Sequence, residues 1–298
     1  MFGGIIMRVM KFPEYMPESA VRRVIAAAVA EDTGDAGDVT TLALVAPDAV
    51  AEGCVLTREA CVVAGAEVGR LVLQTVDPTI TCETLAQDGA MLAPGGAILR
   101  VRGKAASILT AERVTLNFMQ RMCGIATLTR KFVDAVAGTN AVILDTRKTT
   151  PNFRMFEKYS VLCGGGVNHR YGLFDRVLMK DNHRRLWREG DASRLDLAVA
   201  AARKKYPHLM VEIEVESFEE LQSALAGKPE WIMLDNMTTA MMRECVAITA
   251  GRAKLEASGG ITLERAAEVA ATGVDAISLG CLTHSAKAVD LTLEWDVV

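Results

Sequence analysis

Apolar residues recur at helical spacing through Val21, Val24, Ile25 and Ala28, so Pro17 to Asp32 read as an amphipathic helix with Ser19 a candidate N-cap. From Val50 to about Arg102 the texture changes to short β-rich runs (AEGCVLTRE, CVVAGAEV, ITCETLAQ, AILRVRG). Turn signals at Asp88-Gly89 and Pro94-Gly95-Gly96 punctuate them. This predicts a small, mostly antiparallel α+β unit. Ser107 to Val136 read as one or two long helices, interrupted near Gly124. Beyond Asn140 short aliphatic runs alternate with longer helical segments: AVILDT, RVLMKDN, LMVEIEV, WIMLDN, AKLEASGG and DAISLG. Repeated strand-then-helix units imply parallel strands.

What closes each of those runs is informative. Arg147 and Lys148 follow the first, Lys180 and Asp181 the second, Glu214 the third, Asp235 the fourth, Ser258-Gly259-Gly260 the fifth and Gly280 the sixth. In an α/β barrel the carboxyl ends of the strands surround one mouth, where active sites sit. Polar and glycine-rich ends on every strand therefore predict a single site. The plainer reading of the same pattern is a solvated rim with helix caps.

Composition narrows the picture. The chain has 298 residues, 50% hydrophobic and 23% charged, which suits two modest globular domains. Its longest run without a formal charge is about 11 residues, well short of the roughly 20 that span a bilayer. Met1 to Met10 lack the apolar core and cleavage site of a secretory signal, so the expected location is the cytoplasm. Seven scattered cysteines without a C-x-x-C pair indicate neither a disulfide framework nor a zinc site. A net charge of −4 argues against nucleic acid or an anionic membrane as partner.

Against that negative total, Arg147, Lys148, His169, Arg170 and Lys180 would gather five potentially cationic groups at the mouth. Such focusing asks for a small polyanion, because Arg matches carboxylates and phosphates in bidentate fashion and Lys acts as a point charge. Glu214 and Asp235, each behind an apolar run, need partners if buried. A magnesium ion would serve, as would the nearby lysines and arginines. Gly164-Gly165-Gly166 and Ser258-Gly259-Gly260 could offer backbone N–H groups to a phosphate, the second string preceding a helix from Thr262 to Ala271. His183 reads as a loop residue, His284 as a weaker phosphate contact and His208 as surface.

The strings TRKTTP (Thr146–Pro151), GGGVNHR (Gly164–Arg170), KDNH (Lys180–His183), EVE (Glu214–Glu216), LDN (Leu234–Asn236), ASGGIT and SLGCLTHS together resemble the quinolinate phosphoribosyltransferase family. The likeness runs in the same order from EDTGDAGDVTT, near Glu31, to the C-terminus. It implies an N-terminal α+β open-faced sandwich domain over residues 1–121 and a catalytic α/β barrel of about six strands over 122–287, with a strand in 288–298 returning to the first domain.

The implied reaction moves phosphoribosyl from phosphoribosyl pyrophosphate to quinolinate with decarboxylation, giving nicotinate mononucleotide, pyrophosphate and carbon dioxide in NAD biosynthesis, with Mg2+ as the ion. By motif match, Arg147, His169, Arg170 and Lys180 hold the dicarboxylate and Lys148 reaches both substrates. Arg113, in AERVTLNF, would enter from the neighbouring subunit of a homodimer. Glu214 and Asp235 would face the ribose and metal, and Ser258, Gly259, Gly260, Gly280 and His284 the phosphates. Lys148, Lys180, Glu214 and Asp235 are the residues to which the resemblance gives catalytic roles. Three departures stand out: Asn152 where a glycine commonly follows TRKTTP, Leu162 where the family usually has arginine, and an apparent extra residue in EDTGDAGD.

Three other readings compete. A molybdenum-transport-associated paralogue shares the fold but is expected to lack KDNH. A Schiff-base lyase would use Lys180 as an imine-forming amine. A non-catalytic phosphate-binding module would bind without turnover.

Overall fold

The computed structural model describes Phe12, residues 14–187 and residues 190–296. The reading of Met1 to Met10 lies outside the described residues. The chain divides into two compact units, one holding the chain up to Arg130 with Thr149–Gly165 and the segment from Leu282 on, the other Lys131–Lys148 with Gly166–Cys281.

The first unit is mixed, as the sequence predicts. Helix α1 (Glu18–Thr33) begins after Pro17 rather than at a Ser19 cap. Asp38 caps the short α2 (Val39–Leu44) by accepting the Thr41 N–H. Strands β1 (Val50–Thr57), β2 (Cys61–Val62), β3 (Thr81–Thr84), β4 (Met91–Leu92) and β5 (Ala97–Lys104) surround helix α3 (Ala66–Val76) in the chain. The principal sheet has the order β12-β1-β5-β3, where β12 (Leu291–Asp296) returns from the C-terminus to lie antiparallel on β1. Its buried face holds Val55, Ile98, Leu99, Leu291 and Leu293.

Helix α4 (Ala105–Ala135) runs unbroken for 31 residues, so the interruption expected near Gly124 does not occur. The glycine answers a different need: a Cβ there would lie 2.1 Å from the Lys287 carbonyl oxygen. Glycine is the residue that lets a second backbone approach a helix so closely. Helix α5 (Arg154–Cys163) packs Phe156 against Phe118 and Phe153, with ring centroids 5.2 and 4.7 Å apart.

The second unit carries six parallel strands: β6 (Val142–Leu144), β7 (Val177–Met179), β8 (Val211–Val215), β9 (Trp231–Asp235), β10 (Lys254–Ser258) and β11 (Ala276–Ser278). Their order is β6-β11-β10-β9-β8-β7. Between them run α6 (Asp181–Arg185), α7 (Leu195–Lys205), α8 (Phe218–Gly227), α9 (Thr239–Thr249) and α10 (Leu263–Ala270), and the short α11 (Cys281–His284) follows β11. Strand–helix alternation with parallel pairing is the α/β barrel arrangement expected from the sequence. Ser217 and Thr238 start α8 and α9 by accepting the Glu220 and Met241 N–H groups.

Strand β8 (VEIEV) is buried at all five positions. Side chains alternate along a strand, so Glu212 and Glu214 share one face, opposite to Val211, Ile213 and Val215. Two carboxylates on one buried face of a core strand demand partners. Among the described residues no helix is long and apolar enough to cross a membrane.

Candidate active site

At the carboxyl ends of the barrel strands a pocket of about 300 Å³ is lined by Arg147, Lys148, His169, Arg170, Lys180 and Ser258, with Glu256 and Ser278 also on its wall. The five cations that the sequence singled out therefore meet in one place. They come from three separate stretches: the loop after β6, the GGGVNHR segment and the end of β7. Val167 pairs with Leu144 as an isolated parallel bridge, which anchors the second stretch beside β6.

The cations crowd one another. Burial and the neighbouring Arg147 push the Arg170 guanidinium below its ordinary value, with Glu212 and Asp175 opposing. Like charges held this close favour an anionic occupant. Lys180 pairs with a carboxylate, its Nζ lying 2.6 Å from Glu214 Oε2. Glu214 is buried and Lys180 half-exposed.

Next to that pair the carboxylates of Glu214, Glu216 and Asp235 converge, each offering an oxygen within 4.8 Å of the others. Burial, then Glu214, raises the Asp235 carboxyl above its usual range; Lys180 works against the shift and Glu216 adds to it. Converging hard oxygens with mutual repulsion suit a divalent cation such as magnesium. Asp235 and Ser258 are register partners on β9 and β10. The following Gly259 and Gly260 both have left-handed backbone (φ 94° and 59°), and a Cβ on Gly259 would lie 2.1 Å from Asn236 Oδ1. The SGG string is thus a close turn beside the acidic cluster.

His169 sits deeper than a rim residue, only 7% exposed. Its Nε2 is 3.0 Å from Glu212 Oε2 and 3.4 Å from Glu256 Oε2. Its backbone N–H donates to Asp145 Oδ1 and its Nδ1 accepts the Arg170 N–H. Burial alone would lower its pKa, but the hydrogen bonds and charges of Glu212 and Glu256 raise it to about 9. The neutral ring keeps its proton on Nε2, and taking up a second one costs the Arg170 contact. Arg176 Nη1 completes the cluster 3.1 Å from Glu212 Oε2, its guanidinium 5.7 Å from the Trp231 ring centre.

A pKa raised in the fold is stabilising below the unfolded value and lost as pH climbs through the folded one. The protein should therefore lose thermal stability between about pH 6.5 and 9 through this group. Glu256→Gln removes one carboxylate and so lowers the folded-state value, and the loss should be smaller and complete at lower pH. Melting curves across the range check it, and an unchanged profile would show that Glu256 does not hold the ring.

Glu212, Glu256 and Arg176 were not singled out from the sequence. The alternation Glu212-x-Glu214 in one apolar strand was a usable signal, as was Glu256 inside AKLEAS. Other expectations come out differently. Gly164 and Gly165 donate their N–H groups to Ser160 and Leu162 carbonyls at the end of α5, and a Cβ on Gly164 would meet the Ala126 oxygen at 2.5 Å. Those two amides are used for chain packing and cannot cradle a phosphate. His183 is structural, as expected from the sequence, its Nδ1 accepting the Lys180 N–H at 2.9 Å.

Arg113, exposed on α4, and His284, exposed and 2.6 Å from Ser285 Oγ, belong to the first unit; neither lines the pocket, nor does Gly280. Asn152 has φ 62°, the left-handed region where asparagine is tolerated best after glycine. Leu162 lines a different cavity of about 520 Å³ in the first unit, where Asp88 accepts from the Tyr159 hydroxyl and the Ala66 N–H.

A parallel α/β barrel with a cationic pocket beside a carboxylate cluster defines an enzyme class that handles small polyanions at strand ends. Comparison with known proteins narrows the class. Family profiles described as the N-terminal and C-terminal domains of quinolinate phosphoribosyl transferase match residues 38–123 and 125–294. The chain belongs to the quinolinate phosphoribosyltransferase family. It is 44% identical over 280 residues to the nicotinate-nucleotide pyrophosphorylase [carboxylating] of Mycobacterium leprae, covering 92% of this chain and 97% of that protein. The chloroplastic enzyme of that name from Oryza sativa subsp. japonica is 40% identical, covering 97% of this chain and 81% of its own. The solved nicotinate-nucleotide pyrophosphorylase of Francisella tularensis superposes with a TM-score of 0.90 at 38% identity, covering 97% and 99% of the two chains.

Proposed function

We propose that this protein transfers the phosphoribosyl group of phosphoribosyl pyrophosphate to the ring nitrogen of quinolinate and decarboxylates the product, giving nicotinate mononucleotide, pyrophosphate and carbon dioxide for NAD biosynthesis. The observation that carries this reading is the convergence of Arg147, Lys148, His169, Arg170 and Lys180 on one pocket. A planar aromatic dicarboxylate, with the phosphates of the second substrate beside it, matches that charge in sign.

In the bond-making step the ring nitrogen attacks C1′ of the ribose as the C1′–O bond to pyrophosphate breaks. Positive charge develops at C1′, and Glu214 and Asp235 supply negative charge for that centre. The alkylated ring nitrogen is cationic, so when the adjacent carboxylate leaves as carbon dioxide the electron pair stays on the ring carbon beside that charge, where a proton then replaces it. The residues' task is to hold two anions in reacting geometry against their repulsion. Glu214 and Asp235, with Glu216 beside them, would hold magnesium, which would supply positive charge toward the leaving pyrophosphate.

The exposure of Arg113 on α4 supports its role as a contribution to a neighbouring subunit's pocket in a homodimer. None of the seven cysteines is in a disulfide, which fits a reducing compartment, and the cytoplasm is the proposed one. The Schiff-base reading is disfavoured because the ion pair with Glu214 engages the Lys180 amine an imine would need.

Acceptor choice is the test. With phosphoribosyl pyrophosphate and magnesium, quinolinate should support turnover and nicotinate, which lacks the second carboxylate, should not. Equal turnover with both would overturn the dicarboxylate assignment.

A further inference from the structure

In the first unit, Arg121 and Glu157 form an ion pair at 3.0 Å, with the glutamate wholly buried and the arginine side chain one-quarter exposed. Each partner also grips a loop. Glu157 Oε2 accepts the Thr150 N–H and Oε1 the Thr150 hydroxyl, both at 3.0 Å. Arg121 donates from Nη1 to the Ala286 carbonyl at 2.7 Å and from Nη2 to the Thr283 carbonyl.

The two loops are not arbitrary. Thr150 stands two residues after Lys148 in the TRKTTP string, and Thr283 and Ala286 lie on either side of His284, Ala286 just past LTHS. One buried pair thus fixes the backbone of both segments that carry the cations proposed to meet phosphoribosyl pyrophosphate.

We propose that Arg121 and Glu157 are positioning residues for this reaction, setting the loops of Lys148 and His284 through a shared buried ion pair; the inference rests on the function proposed above. A buried ion pair is weak evidence of stabilisation, because apolar residues of like volume commonly do as well in its place. What apolar residues cannot do is hold an amide, a hydroxyl and two carbonyls in fixed directions. Neither residue touches the cationic pocket, so the effect passes through the chain to Lys148, which lines it, and to His284 beside Thr283.

The test compares Glu157→Gln, which keeps the size and one acceptor oxygen, with Thr150→Val, which removes one grip and unpairs no charge. Both are assayed well below their melting temperatures, with rates expressed per folded molecule. Misplacement of reacting groups by an ångström costs on the order of 100-fold, so Glu157→Gln should lower kcat/KM about tenfold or more, and Thr150→Val less, in the same direction. The KM for phosphoribosyl pyrophosphate should rise more than that for quinolinate. A purely structural role lowers the melting temperature and leaves both KM values and the kcat per folded molecule unchanged in both variants, which would overturn the inference. Absence of turnover in the unaltered protein would overturn the function itself and the inference with it.

Discussion

Lys180→Ala should lower kcat/KM for quinolinate by about 100-fold while the melting temperature changes little. Two effects add. The pocket loses a cation, and Glu214, buried and 2.6 Å from the lost amine, is left facing Asp235 and Glu216 without compensation. A 100-fold loss corresponds to about 2.7 kcal/mol of substrate and transition-state stabilisation in the pocket, whereas a half-exposed lysine such as this one contributes little to overall stability because water screens it. Lys180 also opposes the upward shift of the Asp235 carboxyl, so in the variant Asp235 should take up a proton at higher pH. The acid limb of the pH–rate profile should accordingly move to higher pH. Lys180→Met, which restores bulk without charge, should not recover activity. Unfolding of both variants would instead assign Lys180 to the scaffold.

Arg113→Ala and Arg170→Ala should each abolish most activity alone and recover it when mixed. Arg170 lies in the pocket, and Arg113 is exposed on the other unit's long helix. In a two-fold dimer in which each pocket is completed by the partner, random exchange makes half the dimers hybrids with one intact pocket of two, so about a quarter of full activity should return. Equal subunit exchange without recovery would show that Arg113 does not serve a partner's pocket.

Much of the fold was readable because its signals are local. The alternation of aliphatic runs with helical segments announced the parallel strands, and turn glycines marked off the antiparallel ones. The closing residues of the barrel strands announced the site for the same reason, since a strand end is fixed by a few adjacent positions. What stayed hidden depends on residues distant in sequence. Gly124 reads as a helix breaker until the Lys287 carbonyl lies against it. Glu212 and Glu256 read as ordinary strand residues until His169 falls between them from another loop. The Gly164–Gly166 run resembled a phosphate cradle, yet its first two amides finish a helix. Glu157 and Arg121 lie on separate helices, and nothing in either string announces that they meet.

The most direct measurement is the simultaneous release of carbon dioxide from quinolinate labelled in the carboxylate adjacent to the nitrogen and of pyrophosphate from phosphoribosyl pyrophosphate, with purified protein and magnesium. Equal molar amounts of both products, appearing together and matching the nicotinate mononucleotide formed, are the expected result. Pyrophosphate without carbon dioxide, or neither product from a folded protein, would contradict the assignment of this pocket to a decarboxylating phosphoribosyl transfer.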